Sequence, residues 1–356
     1  MATNTPKYVL VEKFIKREIC DKVFTGKLPG ERMLAKQLGV SYMTVRKAVD
    51  HLVAAGLLLR VPAKGTFVAD DAAPKSLKHT IGYFLDSGIV QGIASPYYSL
   101  IFNALEKEAA RHGYSIVYLS ETGRAPIHDV LQRLDGVIAT CFPRVERVID
   151  EINAALPLVV IENRASDAAI PSVVIDDVPA VAEAVEYLCL LGHVRIGFIA
   201  GLEDSDIGRN RYAGYLRGLR SHDIEPDEAL VCRGDYSFEA GVAGAGHLLS
   251  LDTPPTAIVC ASDSMALGAM RRIHESDQAV PRDISVIGFD DIEVASQASP
   301  ALTTMAAPIG DIASRAFEML RHLIDSKILD DRHASFEAQL VIRQTCAERP
   351  VDTIAA

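Results

Sequence analysis

The spacing of hydrophobic side chains in the first 70 residues, the head, predicts three short helices followed by a β-hairpin. Apolar residues recur every four positions from Val11 to Val23, which places them on one buried helix face. Gly39 is expected to end the second helix in the left-handed conformation, and Ser41 to cap the third. The predicted elements are helices over residues 6–24, 31–38 and 41–55 and strands over residues 57–61 and 65–68.

From residue 80 onward the pattern changes to short apolar runs that alternate with longer amphipathic stretches. This alternation predicts strand–helix units of doubly wound parallel sheets. The segment from Ala69 to His79 has no apolar period and carries charges and a proline, which favours a domain boundary and a hinge. The predicted strands cover residues 81–85, 115–119, 136–139, 158–161, 173–175, 196–200, 257–261 and 285–288, and the predicted helices include residues 98–113, 180–192, 210–221 and 265–275.

Composition and charge distinguish a basic head from an acidic remainder of the chain. The chain has 356 residues, of which 49% are apolar, so we expect two or three folding units. Residues 1–72 carry twelve Lys and Arg side chains and seven carboxylates, a formal charge of +5, which leaves −16 for the rest. A basic module suits a polyanion such as DNA, because neutralised phosphates release their counterions. A solvated basic helix face would give the same composition.

The sequence does not indicate export, membrane insertion or metal binding. The first residues lack the charged region and apolar run of an export signal, and charged residues soon interrupt each hydrophobic stretch. The six cysteines lie far apart and form no Cys-x-x-Cys pair, which argues against a disulfide framework and a zinc ribbon. We therefore expect a soluble cytoplasmic protein with no metal and no cofactor.

The second and third helices, joined at Gly39, form a helix-turn-helix. In this motif the second helix of the pair enters the major groove of DNA with its N-terminus first. Tyr42, Met43, Thr44 and Arg46 can therefore reach base edges, while Ser41 and the helix end meet phosphate. The hairpin is a wing with Lys64 near its tip. A three-helix module with a hairpin can also dock a protein, but the basic residues of the third helix favour DNA.

The head resembles the winged helix of the GntR family over nearly its whole length. The resemblance rests on Leu28-Pro29-Gly30-Glu31-Arg32, Leu34-Ala35, Leu38-Gly39-Val40-Ser41, Thr44-Val45-Arg46, Gly56-Leu57 and Gly65-Thr66-Phe67-Val68. It implies that the helix-turn-helix contacts DNA and that the wing approaches the minor groove or the backbone. Tyr42 stands where the family often has arginine, and Gly30 where it often has serine. The candidate DNA-binding residues are Arg32, Ser41, Tyr42, Thr44, Arg46, Lys47, Lys64 and Gly65.

Polar side chains follow several predicted strands, at the sheet edge where doubly wound folds bind ligands. Converging carboxylates and guanidinium groups suit a polyhydroxylated ligand, because they form paired hydrogen bonds with neighbouring hydroxyls. Each of these residues can instead cap a helix or form a loop salt bridge, and Asp263 is equally expected as the N-cap of the helix over residues 265–275. The residues at strand ends are Asp86, Glu162, Arg164, Asp176, Ser262, Asp263 and Asp290.

Residues 79–346, the sensor, resemble the LacI/GalR sensor domain, itself similar to periplasmic sugar-binding proteins. The motifs include Asp135–Ile138, Pro171–Asp176, Leu191–Gly201, Arg211–Tyr215, Ser262–Gly268, Pro281–Asp291 and Pro300–Thr304. The implied fold class is α/β, with an N-terminal winged helix-turn-helix and a two-lobed, periplasmic-binding-protein-like domain of doubly wound parallel sheets. The resemblance implies ligand roles for Glu162, Arg164, Arg211, Ser262, Asp263 and Asp290, and ring stacking by Tyr97 or Tyr98.

The resemblances together imply a domain order and an architecture. We expect a DNA-binding domain over residues 1–70, a linker over 71–78, an effector-binding domain over 79–346 and a C-terminal tail over 347–356. The chain is expected to cross between the two lobes near residues 175 and 290. A GntR head on a LacI sensor, without the LacI hinge helix, is similar to regulators of the arabinose-repressor type.

The function implied is that of a transcriptional repressor whose DNA affinity is set allosterically by a small molecule, a mono- or oligosaccharide. We expect a homodimer through the sensor that binds a pseudo-palindromic operator on double-stranded DNA. Closure of the lobes on the effector would change the affinity for DNA, and we expect release rather than tightening. The operator, the effector and the controlled genes are not defined by the sequence.

Two other functions are compatible with the sensor fold. A transport-type binding protein is disfavoured by the basic head and the missing export signal. An enzyme acting on a sugar is disfavoured because the glycine run Gly241–Gly246 falls in a predicted helix rather than directly after a strand. The sequence shows no P-loop, nucleophile elbow or metal-spaced histidine cluster, and His193, His247 and His322 are expected to be structural or exposed.

Overall fold

The computed structural model describes residues 6–20, 23–54, 56–61, 64–69, 79–89, 91–120, 130–140 and 142–349. The chain divides into two compact units, Met1–Lys78 and His79–Ala356, which contain the head and the sensor. The linker predicted at residues 71–78 lies outside the described residues, as do residues 350–356 of the predicted tail.

Three helices and a hairpin form the head, in the predicted order. The helices are α1 Lys7–Cys20, α2 Glu31–Leu38 and α3 Tyr42–Ala54, and the strands β1 Leu58–Val61 and β2 Gly65–Val68 pair antiparallel. Ser41 caps α3 by accepting a hydrogen bond from the Thr44 amide at 3.1 Å, and Gly39 ends α2 with a φ of 63°, so both predictions are confirmed. The buried core includes Ile15, Leu34 and Val45, which hold the three helices together.

The first helix is shorter than predicted. It ends at Cys20, and Val23, which the four-residue spacing placed on the buried face, is 61% exposed. The amides of Val23 and Phe24 both donate to the carbonyl of Glu18, which makes a turn instead of continuing the helix. Sequence spacing alone does not distinguish this turn from a last helical turn.

The described residues of the sensor form two six-stranded sheets, with helices between the strands along the chain. The strands are β3 Thr80–Phe84, β4 Ser115–Leu119, β5 Gly136–Thr140, β6 Leu158–Ile161, β7 Ser172–Ile175, β8 Ile196–Ile199, β9 Val231–Cys232, β10 Ala257–Cys260, β11 Ser285–Asp290, β12 Thr303–Ala306, β13 His333–Phe336 and β14 Gln339–Val341. The described helices are α4 Pro96–Arg111, α5 Glu146–Ala155, α6 Asp177–Leu190, α7 Asp206–Arg220, α8 Phe238–Leu249, α9 Asp263–Glu275, α10 Glu293–Gln297 and α11 Ile309–Ile324.

Each sheet is the centre of one lobe. The first lobe has the strand order β13-β7-β6-β5-β3-β4, and its paired strands are parallel. The second lobe has the order β14-β12-β11-β10-β8-β9, in which only β14 runs antiparallel to its neighbour. Most central strands are buried on both faces, which explains their continuous apolar sequences.

The chain crosses between the lobes three times among the described residues. The first crossing follows β7, close to the predicted residue 175. The crossing predicted near residue 290 is wrong, because β12 pairs in parallel with β11 and keeps the chain in the second lobe through Ala306. The second crossing leads instead from β12 to α11, which packs against β5 and β6. The third joins β13 to β14, two strands that the sequence pattern did not predict.

Helices α8 and α9 pack unusually closely, and glycines make this possible. A Cβ atom at Gly241 would lie 2.0 Å from the carbonyl oxygen of Met265, and one at Gly268 would lie 2.1 Å from that of Phe238. The run Gly241–Gly246 therefore belongs to a helix face in close contact with its neighbour, as predicted, and not to a nucleotide-binding loop. Both helices begin at the cavity described below.

Candidate functional site

The start of α3 presents an exposed polar surface on the head. Ser41, Tyr42, Arg46 and Lys47 are exposed, whereas Val45, on the opposite face, is fully buried. Because the buried face fixes the rotation of α3, the exposed face is held in one orientation. Thr44 is half-buried, and its hydroxyl hydrogen-bonds that of Ser41 at 2.8 Å.

Arg46 and Lys47, like Ser41 and Thr44, have side-chain partners on the head itself. Arg46 donates to the hydroxyl of Tyr42, one turn earlier, at 3.5 Å. The ammonium group of Lys47 lies 4.2 Å from the centre of the Tyr8 ring on α1, which holds it against the first helix. The exposed surface at the start of α3 therefore consists of the hydrogen-bonded side chains of Tyr42 and Arg46, with the exposed Met43 beside them.

Further cations of the head lie on the wing, beside it and on α2. Lys64 and Gly65 are exposed at the hairpin end, and Arg32 is exposed on α2. The backbone of Lys27 forms an isolated antiparallel β-bridge with Phe67 of β2. The sequence analysis did not include Lys27 among the candidate DNA-binding residues. Arg60 is occupied, because its guanidinium group pairs with Asp50 at 2.7 Å and with Glu31 at 2.8 Å.

A cavity of about 440 Å³ in the sensor is lined by residues of both lobes. The predicted residues on its wall are Tyr97, Tyr98, Glu162, Arg211, Ser262 and Asp290. Residues on the wall that the sequence analysis missed include Phe142, Arg144, Asp235, Tyr236, Phe238, Leu267 and Ile292. The wall therefore combines aromatic rings with a small number of charged groups, as ligand sites commonly do.

Glu162 provides the first buried carboxyl group of the cavity. It follows β6 with a φ of 77° and accepts a hydrogen bond from the hydroxyl of Tyr97 at 2.5 Å. Burial raises the pKa of Glu162 to about 7, although the Tyr97 hydroxyl and Arg211 act in the opposite direction. Burial also raises the pKa of Tyr97 well above its ordinary value. Glu162 is thus a hydrogen-bond acceptor that titrates near neutral pH.

Arg211 is the buried cation of the cavity and is held from several sides. Its Nε donates to Asp177 at 2.8 Å, and its Nη1 donates to the carbonyl of Ala261 at 2.5 Å. The same guanidinium group lies 3.6 Å from the ring centre of Phe289. Burial raises the pKa of Asp177 despite the neighbouring guanidinium group. The positive charge of Arg211 is therefore balanced by Asp177, while its Nε and Nη1 are engaged and its Nη2 forms no hydrogen bond with the described residues.

Asp290 brings a second buried carboxyl group to the wall, from the end of β11. It lies 3.6 Å from Arg211, and burial raises its pKa well above the ordinary range. Ser262 lies beside it in the cavity wall and caps α9 by accepting from the Met265 amide at 3.2 Å. The cap is thus Ser262, and the prediction that Asp263 caps this helix is wrong.

Four predicted residues are not part of the cavity wall. Asp86 is buried behind it, where it pairs with Arg144 and accepts from the Gly88 amide at 2.7 Å. Asp263 is fully buried and accepts from Thr304 Oγ1 at 2.5 Å and from the Ile292 amide at 2.9 Å. Arg164 and Asp176 are exposed. The strand-end rule places a residue at the right edge of the sheet but does not give the direction of its side chain.

Three of the missed residues lie a few positions beyond a strand end rather than directly after it. Tyr236 and Phe238 come after β9, which is only two residues long and therefore gives no recognisable apolar run. Arg144 follows β5, and its guanidinium group lies 5.5 Å from the ring centre of Phe142. Extending the strand-end rule to every sheet neighbour would have found these positions.

Other features of the described residues are structural. Buried His193 hydrogen-bonds Thr256 at 2.9 Å and Ser285 at 3.0 Å, and burial lowers its pKa, so it stabilises the second sheet as expected. Within the described ranges, no helix is both long and apolar enough to cross a membrane. The same ranges contain no cluster of three or more side chains suited to bind a metal ion.

Family models match both parts of the chain. The model for the gntR family of bacterial regulatory proteins matches residues 8–68, and the model for a periplasmic binding protein-like domain matches residues 185–346. The first match covers α1, the helix-turn-helix and the wing. The second covers most of the second lobe and the last strands of the sensor.

Two relatives and one solved structure agree with these matches. The chain is 33% identical over 270 residues to the HTH-type transcriptional repressor CytR of Escherichia coli K12, covering 74% of this chain and 79% of that repressor. It is 31% identical over 334 residues to the HTH-type transcriptional repressor PurR of Pectobacterium carotovorum, covering 89% and 96%. A sugar-binding transcriptional regulator of the LacI family from Escherichia coli, complexed with phosphate, has a TM-score of 0.63 and 28% identity, covering 76% of this chain and 99% of that chain.

These similarities agree with what the geometry shows. An exposed helix-turn-helix surface occurs in one unit, and a cavity lined by two lobes occurs in the other. The two relatives are HTH-type transcriptional repressors. This chain therefore belongs to the family of HTH-type transcriptional repressors that includes CytR and PurR, and it is a DNA-binding transcriptional regulator that joins a GntR-type head to a LacI-type sensor.

Proposed function

We propose that the chain acts in the cytoplasm as a homodimeric repressor, released from its operator when a sugar or a similar ring compound fills the cavity. The proposed modules are residues 1–70 for DNA, residues 79–346 for the effector, and residues 71–78 as the connection. This order is that of regulators of the arabinose-repressor type. A LacI-family relative at 28% identity is a sugar-binding regulator, which supports a sugar as the effector.

The observation that carries the proposal is the composition of the cavity wall. Tyr97, Tyr98 and Glu162 come from the first lobe, whereas Arg211 and Asp290 come from the second. A ligand that contacts both sets has a different affinity for each arrangement of the lobes, which is the requirement for allosteric control. The hydroxyl and carboxyl groups offer hydrogen bonds to a polar ring, and the aromatic rings offer it a flat apolar surface.

The surface at the start of α3 supports DNA as the macromolecular partner. Tyr42, Met43 and Arg46 are exposed on the side of α3 opposite the core, and Ser41 caps the helix beside them. We propose that Arg46 contacts base edges and that Arg32, Ser41 and Lys64 contact phosphates. Lys47 is proposed to act through its charge, because Tyr8 holds its ammonium group.

An operator-binding experiment tests this function. Duplexes selected from a random library by the intact chain serve as the probe, and fluorescence anisotropy measures their affinity for Arg46→Ala and for Arg17→Ala. Both variants lose one positive charge from the head, but Arg17 lies on α1 beside Glu18. We expect Arg46→Ala to weaken binding by about 1–3 kcal/mol more than Arg17→Ala, because only Arg46 reaches bases. Equal effects of the two variants would contradict this assignment of α3.

A further inference from the structure

Acidic side chains outnumber basic side chains on the cavity wall. Three carboxyl groups line the wall, those of Glu162, Asp235 and Asp290, against two guanidinium groups, those of Arg144 and Arg211. Asp235 is exposed at the rim, and the other two carboxyl groups are buried. The wall itself therefore carries more acids than bases.

Both guanidinium groups are already paired with acids that do not line the cavity. Arg144 pairs with Asp86, which is 1% exposed, and Arg211 pairs with Asp177, which is 3% exposed. These ion pairs cancel the positive charge before a ligand arrives. An incoming anion would thus meet neutral pairs and the carboxyl groups of the wall, without a free buried cation among the described lining residues.

Besides hydroxyl groups such as those of Ser262 and Ser264, the wall offers a ligand the carboxyl oxygens of buried acids as acceptors. Glu162 is bonded to a hydroxyl, that of Tyr97, which donates a hydrogen bond but adds no positive charge. Asp290 shares Arg211 with Asp177 at a longer distance, 3.6 Å against 2.8 Å. Burial raises the pKa of both carboxyl groups, which shows that this environment disfavours negative charge.

The rest of the wall is suited to a ring. Tyr97 and Tyr98 meet edge to face with centroids 5.3 Å apart, and Tyr236 and Phe238 line the wall from the other lobe. Ring walls of this kind accept a flat or puckered ring through its apolar face. The electron-rich faces of such rings also attract positive rather than negative groups.

We propose that the cavity selects by charge, taking a neutral or positively charged ring compound that donates N–H or O–H groups to Glu162 and Asp290 and rejecting its phosphate ester. This inference rests on the proposed function of the cavity as the effector site. It distinguishes a free sugar or an amine-bearing ring from a phosphorylated metabolite, which is a distinction that the fold alone does not make.

Matched pairs of compounds test the selection on the full-length chain. A library of neutral, cationic and anionic metabolites includes ribose with ribose 5-phosphate, glucose with glucose 6-phosphate and adenosine with its 5′-monophosphate, and inorganic phosphate serves as the anion alone. Thermal unfolding identifies compounds that bind, because a ligand stabilises the state it binds. Calorimetric titration then gives Kd for both members of each pair that contains a binder.

We expect the tightest binder to be uncharged or cationic and its phosphate ester to bind at least about tenfold more weakly. Equal or tighter binding of the ester, or competition by inorganic phosphate against a bound sugar, would overturn the charge selection while leaving the cavity as an effector site. Stabilisation by no compound of the library would instead contradict the proposed function, so the two failures are distinguishable.

Three variants link the selection to the named side chains. Glu162→Gln and Asp290→Asn each replace an ionisable carboxyl group by a neutral amide that retains an oxygen acceptor. With the titrations made at pH 8, above the pKa of about 7 of Glu162, the discrimination between ester and parent compound should narrow severalfold in Glu162→Gln, and by no more than that in Asp290→Asn, because burial favours the protonated form of the Asp290 carboxyl group. Glu275→Gln is the matched control, since Glu275 pairs with Arg271 on α9 and does not line the cavity. An unchanged discrimination ratio in both cavity variants would contradict the proposal, and having two such variants guards against one that does not fold.

Discussion

Glu162, Tyr236 and Asp290 all line the cavity, and they have positive φ angles of 77°, 67° and 122°. Residues other than glycine rarely adopt such backbone angles, because the Cβ atom then approaches the neighbouring peptide. Strained backbone persists where the surrounding structure fixes it, and it is concentrated at functional sites. At the scale of single residues, the cavity is therefore one of the places where the sensor departs from what stability alone favours, and positive φ angles also occur elsewhere, at Asp223 and Asp277 among others.

Replacing Glu162 by glutamine should stabilise the ligand-free protein at alkaline pH. The folded chain raises the pKa of Glu162 from an ordinary value near 4.5 to about 7, so the folded state holds this proton more tightly than the unfolded state. The free energy of unfolding consequently falls as pH rises from 4.5 to about 7, and above pH 7 the full cost of burying the ionised carboxylate is present. Removing the carboxylate abolishes a penalty of about 1–3 kcal/mol at pH 8.

The measurement is Tm at pH 5 and at pH 8 for the natural chain and for Glu162→Gln. We expect the variant to melt a few degrees higher at pH 8, and the difference to shrink markedly at pH 5, where the carboxyl group is mostly protonated in the folded state. The exposed Glu275 on α9 supplies a control with the same substitution. A difference of equal size at both pH values would show that titration of Glu162 is not its cause.

At the scale of elements, the sequence revealed the strands whose burial needs only apolar side chains. Strands such as β6 and β8 are buried at every position and consist of aliphatic and aromatic residues or glycine. By contrast, β12 contains two threonines that are fully buried, and their polar groups bond to distant residues: Thr304 to Asp263, and Thr303 to Thr345 and Arg343. Neither this strand nor the structural role of Asp263 is visible without knowing those partners.

The hydrophobic pattern has a similar limit for the cavity, where it indicates which strand ends meet but not which side chains face the ligand. Glu162, Ser262 and Asp290 line the cavity because the carboxyl ends of parallel strands meet at one edge. Arg211, Tyr97 and Tyr98 also line it, but they lie on helices, and the family resemblance rather than the strand pattern indicated them. Asp176 and Asp177 show what the strand pattern does not determine. Asp176 was predicted for the site but is exposed, whereas its neighbour Asp177 forms the buried ion pair with Arg211. Side-chain direction changes with each residue at a strand-to-helix junction, and the hydrophobic pattern does not fix it there.

The packing of α8 against α9 leads to a prediction with an internal control. Gly241→Ala should destabilise the sensor by about 1–3 kcal/mol, because its Cβ would lie 2.0 Å from the backbone oxygen of Met265 and the helices must separate. Gly246→Ala, on the same helix, places its Cβ 3.2 Å from the flexible side chain of Arg272. That change should be neutral or stabilising, because alanine favours a helix.

Urea unfolding followed by circular dichroism compares the two glycine variants at equal concentration. Since Phe238 at the start of α8 and Leu267 on α9 both line the cavity, Gly241→Ala should also weaken effector binding. Destabilisation of similar size by both substitutions would mean that helix propensity or local backbone freedom, rather than the close approach of the two helices, governs this interface.

At the scale of the whole molecule, the two units have separate hydrophobic cores and opposite charge. The head core contains Val11, Ile15 and Leu52, among other residues, and the sensor cores are formed by different clusters. The formal charge is +5 for residues 1–72 and −16 for the rest of the chain. Because an acidic surface repels DNA, we expect contact with the duplex to be made by the basic head.

Deleting residues 1–72 tests this division of labour. The truncated chain retains both sheets and every residue of the cavity wall, so we expect its effector Kd to stay within about twofold of that of the intact chain, since additivity holds for distant sites. Operator binding should be lost, because the remainder is acidic and lacks the exposed face of α3.

For the intact chain, the logarithm of operator affinity should fall linearly with the logarithm of salt concentration, as it does when cations of a protein neutralise phosphates. Loss of effector binding together with operator binding would mean that the head is required to form the sensor, and salt-independent operator affinity would mean that the basic surface does not contact phosphate.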